Sequence, residues 1–416
     1  MLIRYGKEEN GKLIKKAVVY TRDEHKINFA DVDDDAVFIT GRLRANGHEG
    51  YIVGGAVRDL LLGKKPKDFD IVTDAIPARI KRIFHNSRII GRRFRLVHVF
   101  FGPKIFEVST FRSLKDGHTS NTYGTIEEDV LRRDFSINAL FYDPGKQLVV
   151  DYVNGMGDIK KRILRPIIPP KLIFKDDPVR MIRAVKYAAA AGFSVPWPLR
   201  RRIKKEANLL EGISPSRLTE ELSKIIRSPA ASLIVENLEN AGLYGYLQKE
   251  ASALMKRDPA FRSAYLASLA GAVLPQSTAA KASADKVPAA AARKMKEVNV
   301  LPMAALVRDY LESNTSWEKL KKGNWEDYKE VFFGVRRFIL PMNPPRVELE
   351  QAVRLVLAEH GVDVKKIRAC ERVRQLASRN RHHASSTSAE EQPKPARKRK
   401  PRKKHAAAEN TVTCTS

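Results

Sequence analysis

Cysteine is almost missing from this 416-residue chain: Cys370 and Cys414 are its only two. Two thiols cannot build a disulfide framework or a zinc site. Cys370 sits in a helical pattern and reads as a buried or half-buried thiol. Long apolar runs are missing too. No stretch of 18 or more apolar residues occurs, so no membrane span is expected. The opening residues, MLIRYGKEENGKLIKK, scatter charge and contain no apolar core of a secretory signal. The expected compartment is the cytoplasm. Acid is scarce relative to base, with 48 Asp+Glu against 76 Lys+Arg, a net charge of +28 and a pI near 10.0. For solubility alone, excess acid serves better than excess base. Excess base favours a polyanion, because each phosphate neutralised releases counterions. A nucleic acid is the expected partner.

What is present suffices for real cores: 43% of the residues are hydrophobic, at a mean hydropathy of −0.36. A chain this long suggests roughly two to four domains. Residues 1–30 are polar with little periodicity and are expected to form a loosely attached leader, ending near residue 35. Ala36–Asn46 reads as an amphipathic helix leading into a strand at Tyr51. From there to about residue 167, strand-like and helical runs alternate. LVHVFF (Leu96–Phe101) and KIFEVST (Lys104–Thr110), separated by Gly102–Pro103, predict a β-hairpin. Leu148–Tyr152 is a further strand. A mixed sheet with flanking helices is expected for residues 36–167.

After Pro169–Pro170 the pattern becomes helical. Asp177–Ala191 carries apolar residues at Val179, Ile182, Val185 and Ala189, with Pro178 suited to a first turn and Gly192 to the stop. Helical patterns continue to about Leu376, broken at Pro215, Pro275 and Pro344–Pro345. The expected fold class is α+β: a sheet domain (36–167), then an all-helical part divided into a neck (168–228) and a body (229–376). Gln276–Arg293, rich in Ala, Ser and Lys, is either a mobile linker or a weak helix. Residues 377–416 have almost no large apolar side chain and include Lys394, Arg397, Lys398, Arg399, Lys400, Arg402, Lys403 and Lys404. Such a run cannot bury a core and is expected to be a disordered basic tail, either simply solvated or, given the charge elsewhere, an arm that tethers RNA.

The densest chemistry lies in YIVGGAVRDLLLGKKPKDFDIVT, residues 51–73. An apolar strand enters the glycine pair Gly54–Gly55, with Arg58 one turn further on. Glycines here let backbone N–H groups approach a phosphate, and the following helix start and Arg58 can hold a triphosphate. Asp68 and Asp70 are two apart, so on a strand they project from one face. Such a pair can hold divalent cations that activate a hydroxyl and steady a leaving pyrophosphate. Glu107, between apolar Phe106 and Val108, can supply a third carboxylate if its strand is a neighbour; otherwise it is an ordinary exposed strand Glu. In DVLRRDFSIN (129–138), Arg132, Arg133 and Asp134 precede an apolar helix-like stretch. They are either a helix cap with a solvated arginine pair, or a phosphate site with Asp134 at the ribose hydroxyls or the metal.

GGAVRDLLLGKKPKDFD, EVSTFR, EEDVLRRDFSINAL and DDPVRMIRAVKYAA, in this order, resemble the class II nucleotidyltransferases. That family holds bacterial poly(A) polymerases and CCA-adding tRNA nucleotidyltransferases. The resemblance covers about residues 36–226. IIGRRFRLVHV (Ile89–Val99) and the basic tail look like the poly(A) polymerase branch. By resemblance, Asp68 and Asp70 would bind two Mg²⁺ (or Mn²⁺) ions, and Asp134 would complete the site or contact the ribose. Arg58, Arg132 and Arg133 would hold the triphosphate, with Arg112 and Arg183 further nucleotide-binding candidates in the same motifs. Arg92, Arg93 and Arg95 would meet RNA. Asp177 and Arg180 would read the base.

That last pair has a physical rationale. Adenine and cytosine both offer an amino donor beside a ring acceptor, which a carboxylate and a guanidinium side by side match, while guanine and uracil are mismatched. Asp177 and Arg180, three apart on a helix, can act together; otherwise they are a surface ion pair of little energetic weight. The chain departs from the family at Asp176, where a Glu is usual, and at Ser216–Arg217, where Glu-Arg is usual. Both bear on the base pocket. The expected activity is addition of AMP from ATP to RNA 3′ ends, with a CCA-adding enzyme and a non-catalytic RNA-binding protein as alternatives.

Overall fold

A computed structural model describes residues 2–7, 13–91, 96–113, 122–272, 289–365 and 367. Nine strands form one sheet: β1 (Leu2–Lys7), β2 (Leu13–Tyr20), β3 (Tyr51–Val53), β4 (Asp70–Thr73), β5 (Ser87–Ile90), β6 (Leu96–Phe101), β7 (Lys104–Thr110), β8 (Leu140–Asp143) and β9 (Leu148–Asp151). Their order is β1-β2-β9-β8-β3-β4-β7-β6-β5. Neighbours run antiparallel except β4 and β7, which pair in parallel. The β6–β7 hairpin forms as its sequence predicts, with Phe101 opposite Lys104 across the Gly102–Pro103 turn.

Why these short segments are strands follows from burial on both faces. Ile52, Ile71 and Val108 point into a large core shared with Ile39, Leu43, Val57 and Ile80 of the covering helices. Tyr51, Val53 and Val72 point the other way, into a smaller cluster with Ile126, Val130, Phe141 and Val150. Near-continuous apolar runs are what two buried faces require. The Asp34–Ala45 helix begins two residues earlier than expected because Asp33 caps it, accepting from the Asp35 backbone N–H at 2.9 Å.

The expected leader is corrected in part. Residues 2–7 and 13–20 are the first two strands of the sheet, and β2 pairs with β9 at Val18 and Asp151. Ala17 and Val19 are buried, so this segment is fastened to the sheet. Its alternation is hidden in the sequence by the lysines beside it.

The second half is helical: Val179–Ala191, Trp197–Glu206, Pro215–Ile226, Ala231–Asn240, Lys249–Arg257, Pro259–Gly271, Ala289–Asn314, Trp325–Phe338 and Arg346–Glu359 are its longer helices. Gly192 ends the first of them at φ 70°, a left-handed backbone suited to glycine. The large core runs on without a break from Ile27 to Ile367, so sheet and helices share it. Of Gln276–Arg293, the part from residue 289 belongs to the Ala289–Asn314 helix, and the rest lies outside the described residues. Arg92, Arg93, Arg95, Cys370, Cys414 and the whole basic tail also lie outside them. Among the described residues, no helix is long and apolar enough to cross a membrane.

Candidate active site

Strand β3 ends at Val53, opposite Asp70, and the chain turns at Gly54 with φ 71° and ψ −134°. This φ is strained for any residue with a side chain. A methyl group at Gly54 would also stand 3.8 Å from the Asp70 Oδ2 atom. The turn therefore brings bare backbone beside the carboxylate. Asp68 lies just ahead of β4 rather than in it, which corrects the expectation that both aspartates belong to the strand. Alternation is kept nonetheless: Phe69 is buried between two exposed carboxylates.

The parallel pairing of β4 with β7 meets the condition set for Glu107. Ile71 faces Val108 in register, so Glu107 comes beside Asp70 on the same face, away from the apolar Phe106 and Val108. The Asp70 side chain keeps contact with water but is walled in by protein. That crowding, reinforced by Glu107 and Asp68 and opposed by Arg133 and Lys224, pushes its carboxyl up to about 6. Oxygen ligands massed on one face, one of them prone to hold a proton, suit a hard divalent cation. Among the described residues, no three His, Cys, Asp or Glu side chains form a ready coordination shell. Mg²⁺ commonly takes one or two carboxylates and completes its shell with substrate phosphate and water, so the donor set fits. His98, opposite Glu107 on β6, places Nε2 3.6 Å from its Oε1.

A cluster of cations adjoins these acids. Arg133 is locked by Asp129, with Nη2 at 2.8 Å and Nε at 3.1 Å from Oδ2, and stands over the Phe141 ring. Burial and the neighbouring Arg112, only partly offset by Asp129, lower Arg132 to about 10. Arg112 is lowered as well, by burial first. Arg180 joins them, donating from Nη2 to the Arg132 carbonyl at 3.3 Å. Four guanidiniums in one another's field make a strongly anion-seeking place. Arg58 is held by Asp59, at 2.9 Å from Nε and 2.8 Å from Nη2, and by Asn138 at 2.9 Å.

Asp134 is elsewhere. It is buried against Arg183, whose Nη2 lies 3.1 Å from Oδ2, and it accepts from the Phe135 N–H. The stretch after it is a single 3₁₀ turn (Ser136–Asn138) and then β8, so Asp134 caps no helix. Arg183 also donates to the Tyr187 hydroxyl, and Arg58 and Lys186 approach the Tyr187 ring at 5.4 and 5.2 Å.

The expected Asp177–Arg180 partnership is corrected. The helix starts at Val179, leaving Asp177 extended at φ −148°, where it accepts from the Val179 N–H. Arg180 instead takes Asp176, and Asp177 takes Arg217 from the Pro215–Ile226 helix, Nη2 to Oδ2 at 2.5 Å. The same helix sends Glu221 to Lys186 at 2.5 Å, and the charge of its Lys224 reaches Asp70. Glu221, Lys224, Lys186 and Tyr187, which adjoin these candidates, were not singled out from the sequence, and Arg217 was noted there only as part of a departure from the family pattern. Their signal is helical: Arg217, Glu221 and Lys224 fall at i, i+4 and i+7 on one face.

A glycine turn against clustered carboxylates, backed by a guanidinium cluster, is an arrangement suited to nucleotidyl transfer. Residues 50–165 match the family model described as the Poly A polymerase head domain, and residues 192–255 that described as the "Probable RNA and SrmB-binding site of polymerase A". The chain is similar to bacterial poly(A) polymerases and, less strongly, to CCA-adding enzymes. It is 43% identical over 229 residues to the poly(A) polymerase I of Escherichia coli O6:H1, covering 51% of this chain and 49% of that protein. It is 35% identical over 240 residues to the CCA-adding enzyme of Geobacillus thermodenitrificans, covering 56% and 59%. The chain spans about half the length of the curated relatives it matches. Among solved structures, the Bacillus stearothermophilus CCA-adding enzyme in complex with CTP is similar at TM-score 0.51 and 27% identity, over 78% of this chain and 82% of that one.

Proposed function

We propose that this chain is a poly(A) polymerase, adding AMP from ATP to RNA 3′ ends with release of pyrophosphate. The observation that carries it is Asp70 flanked by Asp68 and Glu107 beside the Gly54 turn, within reach of Arg133's charge. The higher identity to poly(A) polymerase I than to CCA-adding enzymes supports adenylate as the repeated unit. Residues 36–167 act as the head, 168–228 as the neck that meets the base, and 229–376 as the body that meets RNA.

Asp68 and Asp70 would hold Mg²⁺ or Mn²⁺. When bound, such ions supply Lewis-acid activation of the RNA 3′-hydroxyl and charge neutralisation at the leaving pyrophosphate. The chain's own residues do the rest. The Gly54 turn gives the phosphates close backbone. Arg112, Arg132 and Arg133 neutralise the triphosphate and favour the extra charge that develops as the α–β bond breaks. Glu107 keeps Asp70 oriented by sharing its face. Asp134 holds Arg183, which reaches the nucleotide with Tyr187 behind it. Asp177 and Arg217 accept the base edge, with Arg180 behind them through Asp176.

A specific observation favours a second function. The similar CCA-adding enzyme structure holds CTP, and one carboxylate–guanidinium pair serves A and C alike. Purified protein is offered ATP or CTP with a tRNA lacking its terminus and with an unstructured RNA. Long A-tails on both RNAs are expected; a stop after C, C and A overturns the proposal.

A further inference from the structure

The outward face of a surface helix is normally polar. The Trp325–Phe338 helix breaks this rule: Phe333, Arg336 and Arg337 follow at i, i+3 and i+4 along its outer side, and Leu340 follows in the turn after it. Phe333 is 57% exposed and Leu340 55%, and Val347 of the next helix adds a third apolar side chain at 63%. Among the described residues, neither Arg336 nor Arg337 has an ion-pair partner within 4.0 Å. Arg336, Leu340, Asn343 and Arg346 line one hollow, and Glu330 lines the adjoining one together with Phe333, Arg336, Arg337 and Leu340.

We propose that this face binds single-stranded RNA, with a base stacked on Phe333 and the adjoining phosphates on Arg336, Arg337 and Arg346. The proposal rests on the polymerase function above and assigns it an RNA contact surface. An exposed ring flanked by two guanidiniums without a carboxylate partner, Arg336 and Arg337, with Arg346 shared with Glu350 at 3.1 Å, is the combination that stacks bases and tracks a backbone without reading sequence.

The place of the patch also points to RNA. The turn after the helix is fastened on two sides to the 192–255 segment. Gln248 donates from Nε2 to the Ile339 carbonyl at 2.8 Å, and the Asn343 N–H donates to the Thr219 hydroxyl at 2.9 Å. Thr219 lies on the helix that carries Arg217 and Lys224, so the patch and the nucleotide cleft share one rigid element.

The test uses the full chain and a fluorescein-labelled oligoadenylate carrying one 4-thiouridine. Ultraviolet crosslinks mapped by mass spectrometry are expected in the peptide around Phe333. Phe333→Ala should lose that crosslink and weaken binding roughly fivefold or more. Arg336→Gln with Arg337→Gln should lower the slope of log Kd against log salt by about 1.4, at ~0.7 per phosphate contact. Crosslinks confined to other segments, with both variants binding as the wild type does, overturn the surface; that is the outcome if a protein occupies it. AMP incorporation is measured on the same oligonucleotide. A wild type that crosslinks at Phe333 but adds no AMP loses the proposed function and keeps the RNA surface.

Discussion

Arg217 reaches from the Pro215–Ile226 helix to Asp177, 40 residues earlier in the chain, and holds its Oδ2 at 2.5 Å. Arg217 is half exposed, so the pair contributes little to stability, about 1 kcal/mol at most. Its weight falls on the direction in which Asp177 presents its oxygens. Arg217→Ala should leave the urea midpoint almost unchanged and raise the KM for ATP. Incorporation from GTP and UTP should rise relative to ATP, and competition assays with mixed nucleotides read this directly. Unchanged selectivity would show that Asp177 needs no such partner.

Asp70 gives a pH signature in metal-free protein. Its folded carboxyl sits near 6, above its ordinary value of 3.8. Stability from the protonated form is therefore complete below about pH 4 and lost as pH rises through 6. Asp70→Asn removes this loss. In EDTA, the variant should melt with the wild type at pH 4 and above it at pH 7.5, while adding no AMP. Mg²⁺ should raise the melting temperature of the wild type and not of the variant.

Tyr187 organises Arg58, Arg183 and Lys186 without cancelling their charge, since a ring attracts cations but carries none itself. Tyr187→Phe keeps the ring and loses the hydroxyl that accepts from Arg183. It should raise the KM for ATP modestly. Tyr187→Leu loses both and should raise it further, by roughly fivefold for each ~1 kcal/mol of cation–ring attraction. The order Tyr, Phe, Leu in initial-rate measurements is the check, and equal KM values in all three would rule the role out.

The first two strands are testable through Val19. It is 4% exposed, so Val19→Asp buries a charge with no partner and should cost roughly 3–5 kcal/mol in urea unfolding. Leu2→Asp, at an exposed edge position, should cost almost nothing. Equal effects would mean the hairpin contributes nothing to the sheet.

Much of the head was legible because its strands are short, apolar and bounded by glycine or proline. Tyr51–Val53, Leu96–Phe101 and Lys104–Thr110 fall where the apolar runs predict, and Gly192 ends its helix. Glu107 was legible as a conditional, needing only the strand order to resolve it. The pairing of Asp177 was not, because Asp177–Arg217 joins an extended residue to a helix 40 residues on, and spacing within one segment favoured Arg180 instead. The neighbours of Asp134 were hidden for the same reason. Leu13–Tyr20 was missed since lysines next to a period-two pattern make it read as polar.

The Pro215–Ile226 helix touches three places, Asp177 through Arg217, Lys186 through Glu221 and the 341–345 turn through Thr219, and the charge of its Lys224 acts on Asp70. Twelve residues make a stiff rod about 18 Å long. Mechanically it is a connecting rod. It thus joins the 341–345 turn to Asp177 by direct contacts and to Asp70 by charge alone. In the proposed polymerase, this one helix would couple the choice of nucleotide to the grip on RNA.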